Sequence, residues 1–92
     1  MADQFEWDEA KNASNLKKHG IRFEEAATIF DGPVVTRTDP DHINEVRERS
    51  YGLLGGTIVV CVVHTDRHGK IRIITARKAT RGERKMFNVH LT

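Results

Sequence analysis

The sequence predicts a single α+β domain in which two N-terminal helices precede a four-stranded antiparallel meander and a C-terminal helix, in the order ααββββα. Three observations support this prediction. Apolar residues recur at helical spacing up to residue 30, and four apolar or β-branched runs joined by turn residues fill residues 34–77. Thr80 and Glu83 then have the spacing of a capping box, which begins a last helix. At 92 residues, the whole chain (1–92) fits one small domain.

The two N-terminal helices have clear start and stop signals. Asp8 can cap a first helix over residues 8–19, and Gly20 supplies its stop. A second, shorter helix is predicted over residues 23–30, where the apolar residues again recur at helical spacing. The turn sequence at residues 31–33 ends this second helix.

Four strands are predicted to follow, over residues 34–38, 46–54, 57–65 and 70–77. Gly55 and Gly56 predict a two-residue hairpin turn, because both central positions of a type I′ turn need a positive φ. Loops at residues 39–42 and 66–69 make the other connections. Short connections of this kind favour an antiparallel meander covered by helices.

The turn lengths set a register for the predicted sheet. The two-residue turn pairs Leu54 with Thr57, and the four-residue loop pairs Thr65 with Lys70. Directly opposed residues share a face, so this register sorts the sheet into an apolar face under the helices and a polar face. The polar face is predicted to present these residues: Arg47, Arg49, Tyr51, His64, Thr75 and Arg77.

The distribution of charge is more informative than the net charge of +2. From Arg67 onward, Glu83 is the only acidic residue, while Lys and Arg gather at a strand end and a helix start. Helix N-termini and guanidinium groups both bind phosphate oxygens. The sequence therefore predicts a polyanionic partner, nucleic acid, at the C-terminal end of the fold.

Cysteine usage and hydropathy bear on the compartment. Cys61 is the only cysteine and cannot form an intrachain disulfide, which fits a reducing compartment. Residues 1–8 are polar and acidic rather than a signal peptide, and the longest apolar run, residues 58–63, is too short to cross a bilayer. We therefore expect a cytoplasmic protein with no membrane partner.

Two long segments carry a resemblance to a known family. FEWDEAKNASNLKKHGIRFEEAATIF, followed by IRIITARKATRGER, resembles the BrnT toxins of bacterial type II toxin–antitoxin pairs. The resemblance implies a RelE-like ribonuclease fold and an endoribonuclease that inhibits translation by cleaving RNA, on or off the ribosome. It also implies a small cognate antitoxin, similar to BrnA, that neutralises the toxin and carries a DNA-binding portion.

The chain departs from this family at two positions. Arg22 stands before the second helix, where the family commonly has a serine, so an ordinary N-cap side chain is missing. Phe87 stands where the family often has a tyrosine, and RelE-like nucleases often use a C-terminal tyrosine. Tyr51 is the only phenol in the sequence.

Cleavage of RNA without a metal uses the 2′-hydroxyl as nucleophile, and it needs a base, donors for the charged phosphorane and an acid. Arg77, at the end of the IRIITAR strand, is the best donor candidate, and Arg49 lies on the same predicted face. His64 suits proton transfer near neutral pH, and Tyr51 completes the predicted catalytic set. The ordinary alternatives are a surface arginine at a strand end and a histidine at the edge of the core.

The predicted register places His64 and Arg77 about six residues apart along paired strands, roughly 20 Å, which is too far for one phosphate. One site can therefore consist of Arg49, Tyr51 and Arg77, while His64 contacts a neighbouring nucleotide. Four further arginines are predicted to contact RNA: Arg47, Arg67, Arg81 and Arg84.

No metal or cofactor is expected. His64 and His68 are four residues apart, but a strand-to-turn segment lacks the helical geometry that makes this spacing useful, and Arg67 between them repels a cation. Glu83 is better explained as a helix cap than as a general base. Two other functions remain as alternatives to a ribonuclease: a non-catalytic nucleic-acid-binding module, and a protein-interaction subunit.

Overall fold

The computed structural model describes residues 4–40 and 45–91 of the chain. In chain order, the elements are β1 (Phe5–Glu6), α1 (Glu9–His19), α2 (Phe23–Ala27), a 3₁₀ helix (Thr28–Asp31), β2 (Val35–Thr38), β3 (Glu48–Leu54), β4 (Ile58–Arg67), β5 (Lys70–Lys78) and α3 (Arg81–Leu91). The second half of the predicted loop at residues 39–42 lies outside the described residues. Within the described ranges, no helix is both long and apolar enough to cross a membrane.

The sheet differs from the predicted meander. It is a five-stranded mixed sheet in the order β1-β5-β4-β3-β2, so the prediction of a four-stranded antiparallel sheet is wrong. The additional strand, β1, runs parallel to β5, with Phe5 opposite Ile71 and Glu6 opposite Arg72. A strand of two residues is too short to show the alternation by which strands are recognised in a sequence.

The hairpin turns on either side of β4 differ in length from the predicted two and four residues. The first turn has three residues, because Leu54 pairs with Ile58. The second has two residues, because Arg67 pairs with Lys70. In this second turn His68 has a φ of 53°, which is the left-handed conformation. Glycine is the usual residue in that conformation, so a histidine is a weak sequence signal for a two-residue turn.

A shift of one residue exchanges the faces of a strand, and β4 is turned over in this way relative to both neighbours. On the β3 side the cause is the additional turn residue. On the β5 side the second turn shifts the register by two residues, which keeps the faces, and the exchange comes from a β-bulge between the partners of Val63 and His64. Between β3 and β5 the two shifts cancel, and Arg49, Tyr51 and Arg77 still share one face. His64, on β4, moves to the other face. The register of β4 was not readable because residues 58–63 are all apolar, which is typical of a strand covered on both faces.

Each face of the sheet has its own core. We call the face that packs against α2 the back face, and the face on which α3 lies the front face. The buried residues of the back core are Ile21, Phe23, Ala26, Ile29, Val60, Val62, Ile73 and Ala76. Those of the front core are Tyr51, Val59, Cys61, Ala79 and Phe87. The prediction of one apolar and one polar face is therefore wrong, because α3 covers part of the second face.

Helix α1 packs beside the outer edge of β5, and Asn15 holds it there. Its Nδ2 donates a hydrogen bond to the Ala76 carbonyl at 2.9 Å, and its Oδ1 accepts one from the Ala76 N–H at 3.1 Å. The same Nδ2 also donates to the Ile21 carbonyl at 2.9 Å. The side-chain amide thus takes the place of a neighbouring strand and satisfies a buried backbone pair.

The predicted starts of the first and last helices are confirmed. Asp8 Oδ1 accepts a hydrogen bond from the Ala10 N–H at 2.8 Å. Thr80 Oγ1 accepts from the Glu83 N–H at 3.2 Å, and Glu83 Oε1 accepts from the Thr80 N–H at 2.8 Å, which forms the capping box. Helix α2 is shorter than predicted, because the chain tightens into the 3₁₀ helix after Ala27.

Candidate active site

Three residues of the predicted catalytic set lie together on the front face. Tyr51 and Arg77 lie on either side of β4, because both pair with Cys61. Neighbouring strands are about 4.8 Å apart, so the Cα atoms of Tyr51 and Arg77 are separated by roughly 10 Å. Arg49 precedes Tyr51 by two residues on β3 and therefore points to the same face.

The carboxylate of Glu83 connects these strand residues to α3. Arg77 donates from Nη1 to Oε1 at 2.8 Å and from Nη2 to Oε2 at 3.0 Å, which is a bidentate ion pair. The Tyr51 hydroxyl donates to Oε2 at 2.9 Å. Since Oε1 also caps α3 at Thr80, one carboxylate holds the arginine, the phenol and the start of the helix.

These contacts set the protonation states of the site. The hydrogen bonds from Arg77 lower the pKa of Glu83 to about 2, and the same bonds raise the pKa of Arg77. Burial, followed by the hydrogen bond to Glu83, raises the pKa of Tyr51 to about 12. At neutral pH Glu83 is therefore a carboxylate with little tendency to accept a proton, and Tyr51 is a neutral phenol.

Arg49 is held between Asp39 and Tyr51. Its Nη2 and Nε lie 3.0 Å and 3.2 Å from Asp39 Oδ1, and the Asp39 side chain is only 4% exposed. Burial lowers the pKa of Arg49, but the hydrogen bond with Tyr51 and the charge of Asp39 outweigh it, so the net shift is upward. Arg49 is therefore a permanent, oriented cation beside the Arg77 pair.

His64 is not part of this group. It lies on the back face, 6% exposed, with Nε2 2.7 Å from Ser50 Oγ. Its ring packs edge-on against Phe30, at 5.4 Å between centroids. Burial lowers its pKa, although two nearby carboxylates oppose the shift. The predicted placement of His64 on the same face as Arg77 is therefore wrong, and the cause is the register of β4.

Two of the predicted RNA contacts come together at the other end of the front face. Arg47 and Arg67 line a depression of about 460 Å³, together with Lys11 and Arg72. Arg47 is paired with Glu45, with 2.6 Å between Nε and Oε1. The depression lies at the end of β4 that is farther from α3.

The other two predicted RNA contacts lie on α3 and are exposed. Arg84 donates from Nη1 to the Ala79 carbonyl at 3.1 Å, so part of its guanidinium is used at the helix start. Arg81 precedes Glu83 by two residues, about 200° around the helix, and therefore faces away from the sheet. Neither residue lies inside the cluster that Glu83 holds together.

Two residues beside the site were not identified from the sequence. Arg37 on β2 pairs with Arg49 across the sheet. His90, in the last turn of α3, has Nδ1 2.9 Å from the Met86 carbonyl and Nε2 3.4 Å from Arg37 Nη2. A carbonyl only accepts and a guanidinium only donates, so we assign the hydrogen to Nδ1, and the Nε2 lone pair accepts from Arg37. The sequence contained one signal for the position of His90. It follows Glu83 by seven residues, so the two side chains lie on the same side of a helix.

The arrangement suits a phosphodiester. Arg49 and Arg77 place two fixed cations near Tyr51 on the front face, and Asp39 and Glu83 hold the guanidinium groups in position. Such preorganised donors stabilise charge that develops on phosphate oxygens. Among residues 4–40 and 45–91, no group of three or more His, Cys, Asp or Glu side chains is arranged to hold a metal ion.

Comparison with known proteins agrees with the resemblance in the sequence. The family model described as "Ribonuclease toxin, BrnT, of type II toxin-antitoxin system" matches residues 7–83. The fold is similar to the 1.1 Å crystal structure of the Brucella abortus ribonuclease toxin BrnT, with 25% identity and a TM-score of 0.63, over 82% of this chain and 94% of that one. The comparison with curated proteins found no match. With most of its length matched by the family model and a related toxin of the same fold, the chain belongs to the BrnT family of ribonuclease toxins of type II toxin–antitoxin systems.

Proposed function

We propose that the chain is a metal-independent endoribonuclease that inhibits translation in the cytoplasm, and that it cuts RNA at the front-face site. The observation that carries this proposal is the pair of oriented guanidinium groups, Arg49 and Arg77, joined through Tyr51 and Glu83. The 2′-oxygen attacks the adjacent phosphorus, a 2′-O–P bond forms and the P–O5′ bond breaks. The products are a 2′,3′-cyclic phosphate and a 5′-hydroxyl.

Arg77 has donors left for a phosphate after it has bound Glu83. Three of its five N–H groups are engaged, two by Glu83 and one by the Lys78 carbonyl at 3.2 Å. The remaining two lie on the Nε–Nη2 edge, which matches two phosphate oxygens. Glu83 therefore orients the guanidinium instead of competing with RNA for all of it.

The 2′-hydroxyl needs a group that accepts its proton, and the leaving 5′-oxygen takes a proton from water. Tyr51 is 3% exposed and its hydroxyl is bound to Glu83, so we assign it a positioning role between Arg49 and Glu83. His90 is the described histidine that lies beside the front-face arginines with an unprotonated nitrogen. We assign to its Nε2 the proton of the 2′-hydroxyl, which takes the place of Arg37 as the hydrogen-bond donor to this nitrogen. Imidazole is the usual proton-transfer group in enzymes.

We also propose that the antitoxin of this chain is a small, BrnA-like, DNA-binding protein. Membership of a toxin–antitoxin family implies an antitoxin partner. The front face offers it a cationic surface, and complementary charge would speed its association. Co-expression with the neighbouring reading frame, followed by purification of the tagged toxin, tests whether the two proteins form a complex.

The central experiment compares ordinary and fully 2′-O-methylated RNA in the presence of EDTA. We expect cleavage of ordinary RNA with excess chelator, and none of the methylated RNA, because the methyl group removes the nucleophile. Activity that EDTA abolishes and added metal restores would refute metal independence. Cleavage of the methylated strand would refute the 2′-hydroxyl mechanism.

A pair of matched variants tests the position of the site. Arg77→Lys keeps the positive charge for Glu83 but loses the two-donor edge, so we expect a loss of about 10²–10³ in the cleavage rate. Arg81→Lys is the control, an exposed arginine at the start of α3 that faces away from the sheet. Equal cleavage rates in the two variants would place the site elsewhere.

A further inference from the structure

A second cationic feature lies where α1 packs beside β5. Lys11, Ser14 and Lys18 are spaced at i, i+3 and i+7 and form one stripe along α1. This stripe is one wall of a groove of about 320 Å³, and Ile74 and Thr75 of β5 form the opposite wall. We call this the α1 groove.

The α1 groove is suited to an anion. Lys11, Lys18 and His19 all line it, and no described residue of its lining is acidic. Lys11 also lines the depression that contains Arg47 and Arg67, so the two recesses adjoin each other. The outer edge of the sheet therefore carries a continuous cationic path, and the two carboxylates that line it, Glu45 and Asp66, lie in the depression and not in the α1 groove.

The α1 groove is continuous with the proposed active site. Thr75 lines the groove, and it precedes Arg77 by two residues on β5, so the two residues share the front face at about 7 Å. In the sheet register, Ile74 lies between the partners of Val63 and His64 and has no partner of its own. This β-bulge bends the strand beside α1, as bulges near functional sites commonly do.

We propose that the α1 groove binds the phosphate backbone of the single-stranded RNA that flanks the cleaved bond, with Lys11 and Lys18 as the contacts. The inference rests on the proposed function and adds a substrate-binding surface to it. RNA is favoured over an acidic protein segment because the groove opens at Thr75 onto the arginines that hold the cleaved phosphate. An RNA strand whose cleaved phosphate lies at these arginines has to leave the front face across the β5 edge, where the α1 groove lies, or across the opposite edge of the sheet.

The test measures binding of a fully 2′-O-methylated single-stranded oligonucleotide, which keeps its phosphates and cannot be cut, at about 50 to 200 mM salt. Lys11→Gln/Lys18→Gln is compared with Lys17→Gln/Lys85→Gln, which removes two exposed lysines that line neither the groove nor the depression. For single strands, each phosphate contact contributes about 0.7 to the slope of log K against log salt. The groove variant should therefore have a slope smaller by about 1.4.

That slope corresponds to a measurable difference in affinity. Over the fourfold rise in salt, the wild type and the control should lose about sevenfold more affinity than the groove variant. With ordinary RNA, KM should rise for long substrates and kcat should stay unchanged. Ser14→Glu, which adds a negative charge inside the groove, should weaken binding more than Ala10→Glu on the same helix.

The outcomes separate this inference from the proposed function. Equal salt slopes for the groove variant and the control would overturn it, and so would a loss of antitoxin binding without a loss of RNA binding. A wild-type protein that binds the probe but cuts no ordinary RNA would refute the proposed function, while the slopes would still decide the role of the α1 groove.

Discussion

Replacement of Glu83 by glutamine tests whether one carboxylate holds the site together. Glutamine keeps the shape of the side chain and can still accept from Thr80, but it removes the charge that faces Arg77 and Tyr51. We expect the variant to lose both stability and RNA cleavage, because two groups of the site lose their common partner. The Glu83 side chain is 16% exposed, so water replaces that partner only in part.

The size of the effect follows from the pKa of Glu83, which Arg77 lowers to about 2 from an ordinary value of 4.5. Each pKa unit corresponds to about 1.36 kcal/mol, so the charged form contributes about 3 kcal/mol to the free energy of unfolding at pH 7. Because the pKa is lower in the folded state, this contribution is present above about pH 4.5 and is lost as the pH falls towards 2. At pH 3 roughly 1.4 kcal/mol should remain.

The assay is urea denaturation of both proteins at several pH values between 7 and 3, with thermal melting at pH 7 as a second measure. For a domain of this size, about 3 kcal/mol lowers Tm by on the order of 10–20 °C. Glu25→Gln is the matched control. Glu25 also accepts a backbone N–H at a helix start, from Arg22 at 3.0 Å, but it is exposed. We expect this control to lose less than about 1 kcal/mol.

Equal losses in the two variants would refute the reasoning, since the ion pair with Arg77 would then add nothing to a helix cap. A difference that stays constant from pH 7 to pH 3 would also contradict it. In that case the contribution of Glu83 would not depend on its charge.

Three further perturbations have expected outcomes. His90→Ala should lower the single-turnover cleavage rate by about 10²–10⁴ without changing Tm, because it removes the proposed proton acceptor. His64→Ala should lower Tm and leave the rate of the folded protein within about tenfold, and the reverse order of rates would place the acceptor on the back face. Asn15→Ala should lower the free energy of unfolding by about 2–4 kcal/mol, because the buried N–H and C=O of Ala76 lose their partner. Ser14→Ala is its exposed control, and equal urea midpoints would contradict this role.

The parts of the fold that were predicted correctly depend on local signals. Asp8 and the Thr80–Glu83 pair define helix starts through contacts with residues close in sequence, and such contacts can be recognised from spacing alone. The positions of β2 to β5 were likewise predicted to within a few residues from apolar or β-branched runs between turn residues. These signals do not depend on the rest of the fold.

The topology depended on contacts between distant residues. The two-residue strand β1 is defined by its pairing with the edge of β5, and no pattern in the local sequence predicts it. The register of β4 depended on the length of the first turn and on the β-bulge at Ile74, and neither gave a clear signal in the local sequence. Residues 58–63 of β4 are all apolar and suit either face of the sheet, so their pattern could not reveal that the predicted register was wrong.

The candidate site was predicted in part. Arg49, Tyr51 and Arg77 were grouped correctly because the errors on the two sides of β4 cancel between β3 and β5. His64 lies on β4 itself, where the errors do not cancel, so it was predicted on the front face and lies on the back face. The bond from Tyr51 to Glu83 joins residues 32 positions apart, so the sequence revealed the capping function of Glu83 but not its contact with the site.

Glu83 both caps α3 and binds Arg77, so the rate of RNA cleavage should report on fraying of the first turn of α3. Oε1 accepts from the Thr80 backbone and from Arg77, so the first turn of α3 cannot loosen without disturbing the orientation of the arginine. Under mild heating or low urea, cleavage should therefore decline together with the protection of the Glu83 amide from hydrogen exchange. It should do so before the back core, which does not contact this carboxylate, begins to open.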